Sequence, residues 1–260
     1  MDIQTVIAQR PLGLVFDIDG TLSPIAPTPD EARLHRDVAA LLEQARQKVH
    51  VAIMTGRAID DGASMVNVEG LTYIGTHGLE WSEGLPETHQ VSIIPAALQY
   101  VVPGAYLLDL VEQQLAELPG IIVQRKRIGG TIHYRRAADP EQARQHILAL
   151  LEEPARRVNM RLSEGKKVVE IKVPLAIDKG QALRQYVQQH ELRGVLFAGD
   201  DITDLDAILE IPKLRQEGIA ALSIVVQHHD TFPDVLKYAD ITVQEVDGMV
   251  ELLKDIVKQF

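Results

Sequence analysis

An apolar run at Leu12–Ile18 stops abruptly on acids and glycine, in the order Asp17-Ile18-Asp19-Gly20-Thr21. A stretch this short and apolar, bounded by a turn signal, reads as a strand buried on both faces, as at the centre of a parallel sheet. Prolines at 24, 27 and 29 forbid a regular central strand just beyond it. Asp30 is expected to cap a helix in which Leu34, Val38, Leu41, Leu42, Ala45 and Val49 recur at helical spacing. Val49–Met54 and Leu71–Ile74 are further apolar runs, closed by Thr55-Gly56-Arg57 and by Gly75. Alternating strand and helix signals predict a doubly wound α/β fold around a parallel sheet.

The middle of the chain has another rhythm. Tyr106–Leu118 reads as an amphipathic helix ended by Pro119-Gly120, and Ile121–Ile128 with Thr131–Arg136 as a hairpin around Gly129-Gly130. Pro140–Val158 predicts a second helix, and Met160–Ser163 with Val168–Val173 a second hairpin. This α+β pattern is inserted into the α/β one, which resumes with a helix at Lys179–His190. Strands at Gly194–Ala198, Ile219–Val226 and Ile241–Val243 and a helix at Met249–Val257 follow. The expected domains are therefore a core over 1–102 and 175–260 and an α+β cap over 103–174.

Charge and composition narrow the function. Lys and Arg number 26 against 37 Asp and Glu, a formal charge of −11 that repels nucleic acid and anionic lipid. The absence of cysteine excludes disulfides, thiolate zinc sites and cysteine nucleophiles. The first residues lack a signal-peptide pattern, and no run of about 18 apolar residues suggests a membrane span. The expectation is a cytoplasmic monomer with neither nucleic acid nor membrane as partner.

Two acidic clusters carry the chemistry. Asp17 and Asp19, two residues apart, lie on one side of an extended chain, and holding both charged needs a cation or a shared proton. A turn with solvated acids would have the same sequence. Gly199-Asp200-Asp201-Ile202-Thr203-Asp204 places three more acids after another apolar run. Helix capping accounts for one acid but not three, and oxygen-only ligands select Mg²⁺ or a similar hard ion. Thr55-Gly56-Arg57 offers a hydroxyl and exposed amides, the makings of a phosphate seat. Lys179 at a helix start opposes the helix dipole, a poor choice for stability but a useful one for phosphate. In open α/β sheets ligands bind beyond the carboxyl ends of the strands, where all four motifs fall.

In this order the motifs resemble the haloacid dehalogenase superfamily of phosphohydrolases. Gly75-Thr76-His77-Gly78-Leu79-Glu80, Lys126 with His133-Tyr134-Arg135, Val169-Glu170-Ile171-Lys172 and Asp178-Lys179-Gly180 resemble its trehalose-6-phosphate phosphatase family. The resemblance implies a Mg²⁺-dependent phosphatase acting on trehalose 6-phosphate. Asp17 would be the nucleophile, Asp19 the general acid and base, and Thr55 and Lys179 the grips on the transferring oxygens. Asp204 would orient Lys179. Mg²⁺ would sit on Asp17, the Asp19 carbonyl and Asp200, with Asp201 holding a bound water. Thr21, Gly56 and Arg57 would complete the phosphate seat. His77, Glu80, Lys126, His133, Glu170 and Lys172 would face the sugar hydroxyls.

Three departures keep the sugar open. The family usually has arginine where Lys172 stands, asparagine where Asp178 stands, and Glu-Asp-Ala-Phe where Leu205-Asp206-Ala207-Ile208 stands. A glucosyl- or mannosylglycerate phosphate is the alternative substrate. A non-catalytic phosphate- or metal-binding regulator is the alternative class, disfavoured by the insert and by the full motif set. Trp81 reads as a sugar platform or a packing residue. The Arg125-Lys126-Arg127 run reads as an attraction for the anionic substrate or a solvated strand face. His228-His229-Asp230 reads as a loop pair, because adjacent histidines point to opposite sides.

Overall fold

The structure, a computed structural model, describes all residues except 28–30 and 116–117. The helix cap expected at Asp30 lies outside the described residues. The chain forms two compact units, Met1–Ser92 with Ile177–Phe260, and Ile93–Ala176. In chain order the first carries α1 (Ile3–Ile7), β1 (Leu12–Phe16), α2 (Val38–Arg46), β2 (His50–Met54), α3 (Ile59–Val66), β3 (Thr72–Gly75) and β4 (Glu80–Glu83). The short β5 (Ser92–Ile93) leads into α4 (Val101–Gln114), β6 (Ile122–Arg125), β7 (Gly130–His133), α5 (Pro140–Arg157), β8 (Arg161–Gly165) and β9 (Val168–Lys172). The first unit resumes with α6 (Lys179–Gln189), β10 (Gly194–Gly199), α7 (Leu205–Gln216), β11 (Ala220–Gln227), α8 (Pro233–Lys237), β12 (Ile241–Gln244) and α9 (Glu245–Val257).

The first unit is built on a sheet of order β12-β11-β10-β1-β2-β3-β4-β5. β12 through β3 run parallel, and β4 returns antiparallel to β3. Side chains on β1 alternate between two helical layers. Leu12, Leu14 and Phe16 join the apolar cluster with α2, α3 and α9, whereas a side chain at Gly13 would run into Leu192 and Tyr186 of α6 and its exit. Every residue of β1 and of β10 is buried, as their unbroken apolar sequence requires. The order reverses between β1 and β10, because the chain proceeds from β1 to β2 and β3 on one side and later fills the other. That reversal is the crevice where α/β sheets bind ligands.

The second unit is a four-stranded antiparallel sheet of order β6-β7-β9-β8 with α4 and α5 packed on it. Ile132, Val169 and Ile171 are buried on one face. The alternate positions, Thr131, His133, Ser163, Glu170 and Lys172, share the other face, which is polar.

Some elements start elsewhere than the periodicity predicts. The helix expected after Asp30 begins only at Val38. Before it, the Ser23 hydroxyl donates to the Arg33 carbonyl at 2.8 Å and the His35 amide to the Leu22 carbonyl at 2.9 Å, so this segment pairs with the loop after β1. α4 begins at Val101 rather than Tyr106, with Pro103 in its first turn, where the missing N–H has no helical partner to lose. The hairpin reverses over Lys126–Gly129 rather than at Gly129-Gly130. Gly129 has φ +68°, and a Cβ there would lie 2.1 Å from the Ile171 carbonyl oxygen.

Candidate active site

β1 and β10 pair with Phe16 opposite Ala198, and the Asp17 amide donates to the Ala198 carbonyl at 2.9 Å. The two acidic segments, some 180 residues apart in sequence, therefore leave the sheet side by side. β2 flanks β1 on its other edge and delivers Thr55 to the same rim.

Lys179, at the start of α6, reaches into this rim. Its Nζ lies 2.6 Å from Asp17 Oδ1 and 2.6 Å from Asp204 Oδ1, and all three side chains are buried. The second Asp204 oxygen accepts the Asp200 and Asp201 amides at 3.0 and 3.1 Å. With both oxygens engaged, Asp204 acts as an anchor for Lys179 and for the turn after β10. Thr21 Oγ1 donates to Asp200 Oδ1 at 3.3 Å. A Cβ on Gly20 (φ +82°) would fall 2.1 Å from Asp200 Oδ2, so only glycine lets the loop approach this closely.

The electrostatics follow from burial. Asp200 is pushed up to about 9 by burial, then by repulsion from Asp17 and Asp204. Burial likewise raises Asp17, and the attraction of Lys179 does not fully offset it. Burial pulls Lys179 down, but Asp17 and Asp204 outweigh it and hold the ammonium above its ordinary value.

Asp17, Asp200 and Asp204 bring ligand-capable oxygens within 4.8 Å of one another. With all three ionised, the single charge of Lys179 leaves two negative charges uncompensated. A buried surplus of that size, offered only by oxygen, fits a hard divalent cation. Asp17 Oδ2 and the Asp200 carboxylate are the donors to hold it, since Asp204 is committed elsewhere.

The remaining expected residues divide into those at the rim and those turned away from it. Thr55 is buried, and its hydroxyl accepts the Arg57 amide at 3.1 Å. The Arg57 guanidinium grips Asp19 in a two-pronged pair, with both contacts at 2.6 Å. The His77 ring packs against Gly56, where a Cβ would meet it at 2.5 Å. Thr76 and His77 both have positive φ, +48° and +58°. Glu80 turns inward: it is 1% exposed and accepts the Ile59 amide at 2.9 Å, satisfying a first-turn donor of α3. Trp81 is also buried and donates to the Gly78 carbonyl at 2.8 Å, which makes it a packing residue. Asp201 is exposed and accepts the Ile202 amide at 2.6 Å, as the cap of a short 3₁₀ turn.

In the second unit, Glu170 pairs with Lys172 at 2.5 Å and accepts the Ser163 hydroxyl at 3.2 Å. Burial raises Glu170, but Lys172 and Lys126 outweigh it and hold the carboxyl below its ordinary range. His133 Nε2 lies 3.2 Å from Gln124 Oε1 on the same polar face. Arg125 is paired with Asp109 and Glu112 of α4 rather than presented as an attractor.

His228, expected to be an ordinary loop residue, is buried against the Gly20 carbonyl while His229 is exposed. Its place directly after β11, on the rim that carries the other motifs, was the available signal.

Residues 15–246 match the sequence profile of the trehalose-phosphatase family. The chain is 31% identical over 229 residues to a trehalose-phosphate phosphatase of Mycobacterium avium, covering 86% of this chain and 56% of the relative. The corresponding protein of Mycobacterium tuberculosis is 31% identical over 230 residues, with the same coverage. The chain thus spans about half the length of these curated relatives. A solved trehalose-6-phosphate phosphatase related protein superposes with a TM-score of 0.74 at 23% identity, covering 95% of this chain and 97% of the other. A haloacid dehalogenase-like hydrolase from Bacteroides thetaiotaomicron superposes at 0.61 with 18% identity, covering 95% and 100%. The chain belongs to the trehalose-phosphatase family and has the haloacid dehalogenase-like fold.

Proposed function

We propose that this trehalose-phosphatase family member is a Mg²⁺-dependent phosphoric monoester hydrolase that releases trehalose and phosphate from trehalose 6-phosphate. The observation that carries the reading is the buried Lys179 bridging Asp17 and Asp204 beside Asp200, at the crevice of the sheet. Mg²⁺, held by Asp17, Asp200 and the Asp19 carbonyl, would offset the negative charge of nucleophile and phosphate.

An Asp17 carboxylate oxygen attacks phosphorus as the bond from phosphorus to the sugar oxygen breaks, giving an aspartyl-phosphate. Asp19 gives its proton to the departing oxygen, then takes one from the water that attacks phosphorus and frees Asp17. Lys179 reduces repulsion between Asp17 and the incoming dianion, and with Thr55 it holds the equatorial oxygens. In the resting arrangement Arg57 occupies both Asp19 oxygens. Asp19 must let go of Arg57 before it can carry the proton, and a phosphate drawn to Arg57 supplies the exchange.

The inserted unit, expected as a cap over 103–174, supplies the sugar-binding side chains from its polar face, with Lys126, His133, Glu170 and Lys172 as hydroxyl partners. The compartment we propose is the cytoplasm and the working form a monomer, with a free sugar phosphate as partner.

The test is phosphate release from trehalose 6-phosphate, glucosylglycerate phosphate, mannosylglycerate phosphate and glucose 6-phosphate, each with Mg²⁺ and with chelator. Preferred release from trehalose 6-phosphate, lost on chelation, is expected. Preference for a glycerate ester overturns the sugar assignment, and no release from any ester overturns the enzyme reading.

A further inference from the structure

Lys179 and Asp204 hold Asp17 from the side of β10 and α6, but they do not touch the loop Ile18–Ser23 that carries Asp19. That loop is tied down partly by its own backbone. The Thr21, Leu22 and Ser23 amides all donate to the Ile18 carbonyl, and the Gly20 amide donates to the Ser23 carbonyl at 2.7 Å. The Gly20 N–H lies in the same rigid peptide as the Asp19 carbonyl, so this bond orients that carbonyl. The next peptide is held within the loop at its Thr21 N–H, while its Gly20 carbonyl is engaged from outside the loop. That carbonyl is met by His228 Nε2 at 2.7 Å.

The other ring nitrogen of His228 lies 2.7 Å from Glu245 Oε2, at the first residue of α9. A carbonyl oxygen can only accept a hydrogen bond, so His228 Nε2 is the donor to Gly20. The same nitrogen lies 3.9 Å from Asp200 Oδ2. Both ends of the strut are themselves held. The His228 amide donates to Thr231 Oγ1 at 2.8 Å. Glu245 has φ +54°, a left-handed backbone that non-glycine residues avoid unless their surroundings enforce it.

We propose that His228, braced by Glu245, is a positioning residue: it pins the Gly20 carbonyl from outside the loop and so sets the acidic loop against Asp200. The inference deepens the phosphatase reading and rests on it for its kinetic consequence. The geometry of the clamp stands apart from that reading. The strut acts on the loop whose Asp19 carbonyl is the expected cation ligand, so its removal loosens cation binding and the reacting geometry while leaving sugar recognition alone.

The test compares His228→Leu, His228→Gln and Glu245→Gln with the parent protein. His228→Leu is expected to weaken Mg²⁺ binding by 10- to 100-fold in calorimetry, the usual effect of losing a group that orients a ligand. It should lower kcat similarly with KM for trehalose 6-phosphate nearly unchanged. His228→Gln, with one donor arm, should fall between, and Glu245→Gln, which keeps a polar partner for the ring, should lie nearest the parent. Amide hydrogen exchange at Gly20–Leu22 should quicken in His228→Leu while the core strands stay protected. Lost thermal stability with unchanged Mg²⁺ affinity and unchanged loop exchange would reduce His228 to a packing residue and overturn the inference. Should His228→Leu not fold, ¹⁵N resonances of the parent protein decide: a protonated Nε2 on His228 is expected, and a bare Nε2 overturns the clamp. If the parent releases no phosphate from any ester, the functional reading fails, while loop exchange and ring protonation still judge the clamp.

Discussion

Lys179 and Lys172 each sit within ion-pair distance of a carboxylate, 2.6 Å from Asp17 and 2.5 Å from Glu170, yet their surroundings differ sharply. The Lys179 side chain is 1% exposed, and that of Lys172 is 48% exposed. In the first unit, charge is locked by burial: every oxygen of Asp204 is engaged, and Lys179 has two partners with no room to move. On the polar sheet face of the second unit, Lys172 stays half in solvent beside a Glu170 that is only partly buried. A buried pair contributes preorganisation and is costly to break, whereas an exposed pair contributes little stability and adapts to a ligand. Such a division sets a rigid charged cluster in one unit against an adaptable one in the other.

The contrast can be broken most directly at Asp17. Asp17→Asn should reduce phosphate release by about 10³-fold or more, with the fold retained in circular dichroism because Lys179 keeps Asp204. Substantial residual turnover would mean that the locked cluster is not the reacting group. Lys179→Met should next cost about 3–5 kcal/mol in urea unfolding, since it strands buried carboxylates. Lys172→Met should cost no more than about 0.5 kcal/mol. Equal losses would erase the distinction between the two lysines.

A smaller effect concerns Asp200 in the absence of divalent cations. Its pKa is raised to about 9 in the folded chain, chiefly by burial, from an ordinary 3.8. Between these values the folded state binds the proton and the unfolded state has lost it, so stability falls as pH rises from about 4 to about 9. Asp200→Asn should flatten that fall in chelator and be more stable than the parent by about 1–4 kcal/mol at pH 8. Added Mg²⁺ should stabilise the parent more than the variant. A parent whose cation-free stability is level across this range would sink the argument. The smallest expected change is at the polar sheet face: Glu170→Gln or Lys172→Ala should raise KM for the sugar phosphate about tenfold, roughly one or two lost polar contacts, with unfolding midpoints nearly unmoved. A loss of kcat at constant KM would place these residues in the chemistry instead.

Strand ends were easy to read, because a strand buried on both faces must be apolar throughout and any acid marks where it leaves the sheet. Leu12–Phe16 and Gly194–Gly199 announce themselves in this way, and Asp17 and Asp200 with them. α3 and β4 carry no such mark, since Ile59–Val66 and Glu80–Glu83 are too short for periodicity to separate from loop. Glu80 was expected at a sugar. An acidic residue near a motif carries no mark of which way it points, and the buried Glu80 carboxylate accepts an amide 21 residues away.

The order of apolar runs, turn residues and acids was enough to specify an α/β core interrupted by an α+β insert, and to mark Asp17 and Asp200 at the strand ends. Those features are local, written in neighbouring residues by sterics and by the need to bury one face or two. Pairing needed the folded chain. That Lys179 bridges Asp17 and Asp204, that Arg57 holds Asp19, and that His228 rather than His229 reaches the Gly20 carbonyl depend on which strands lie side by side. Long-range adjacency is set by the packing of the whole sheet, and no window of sequence contains it.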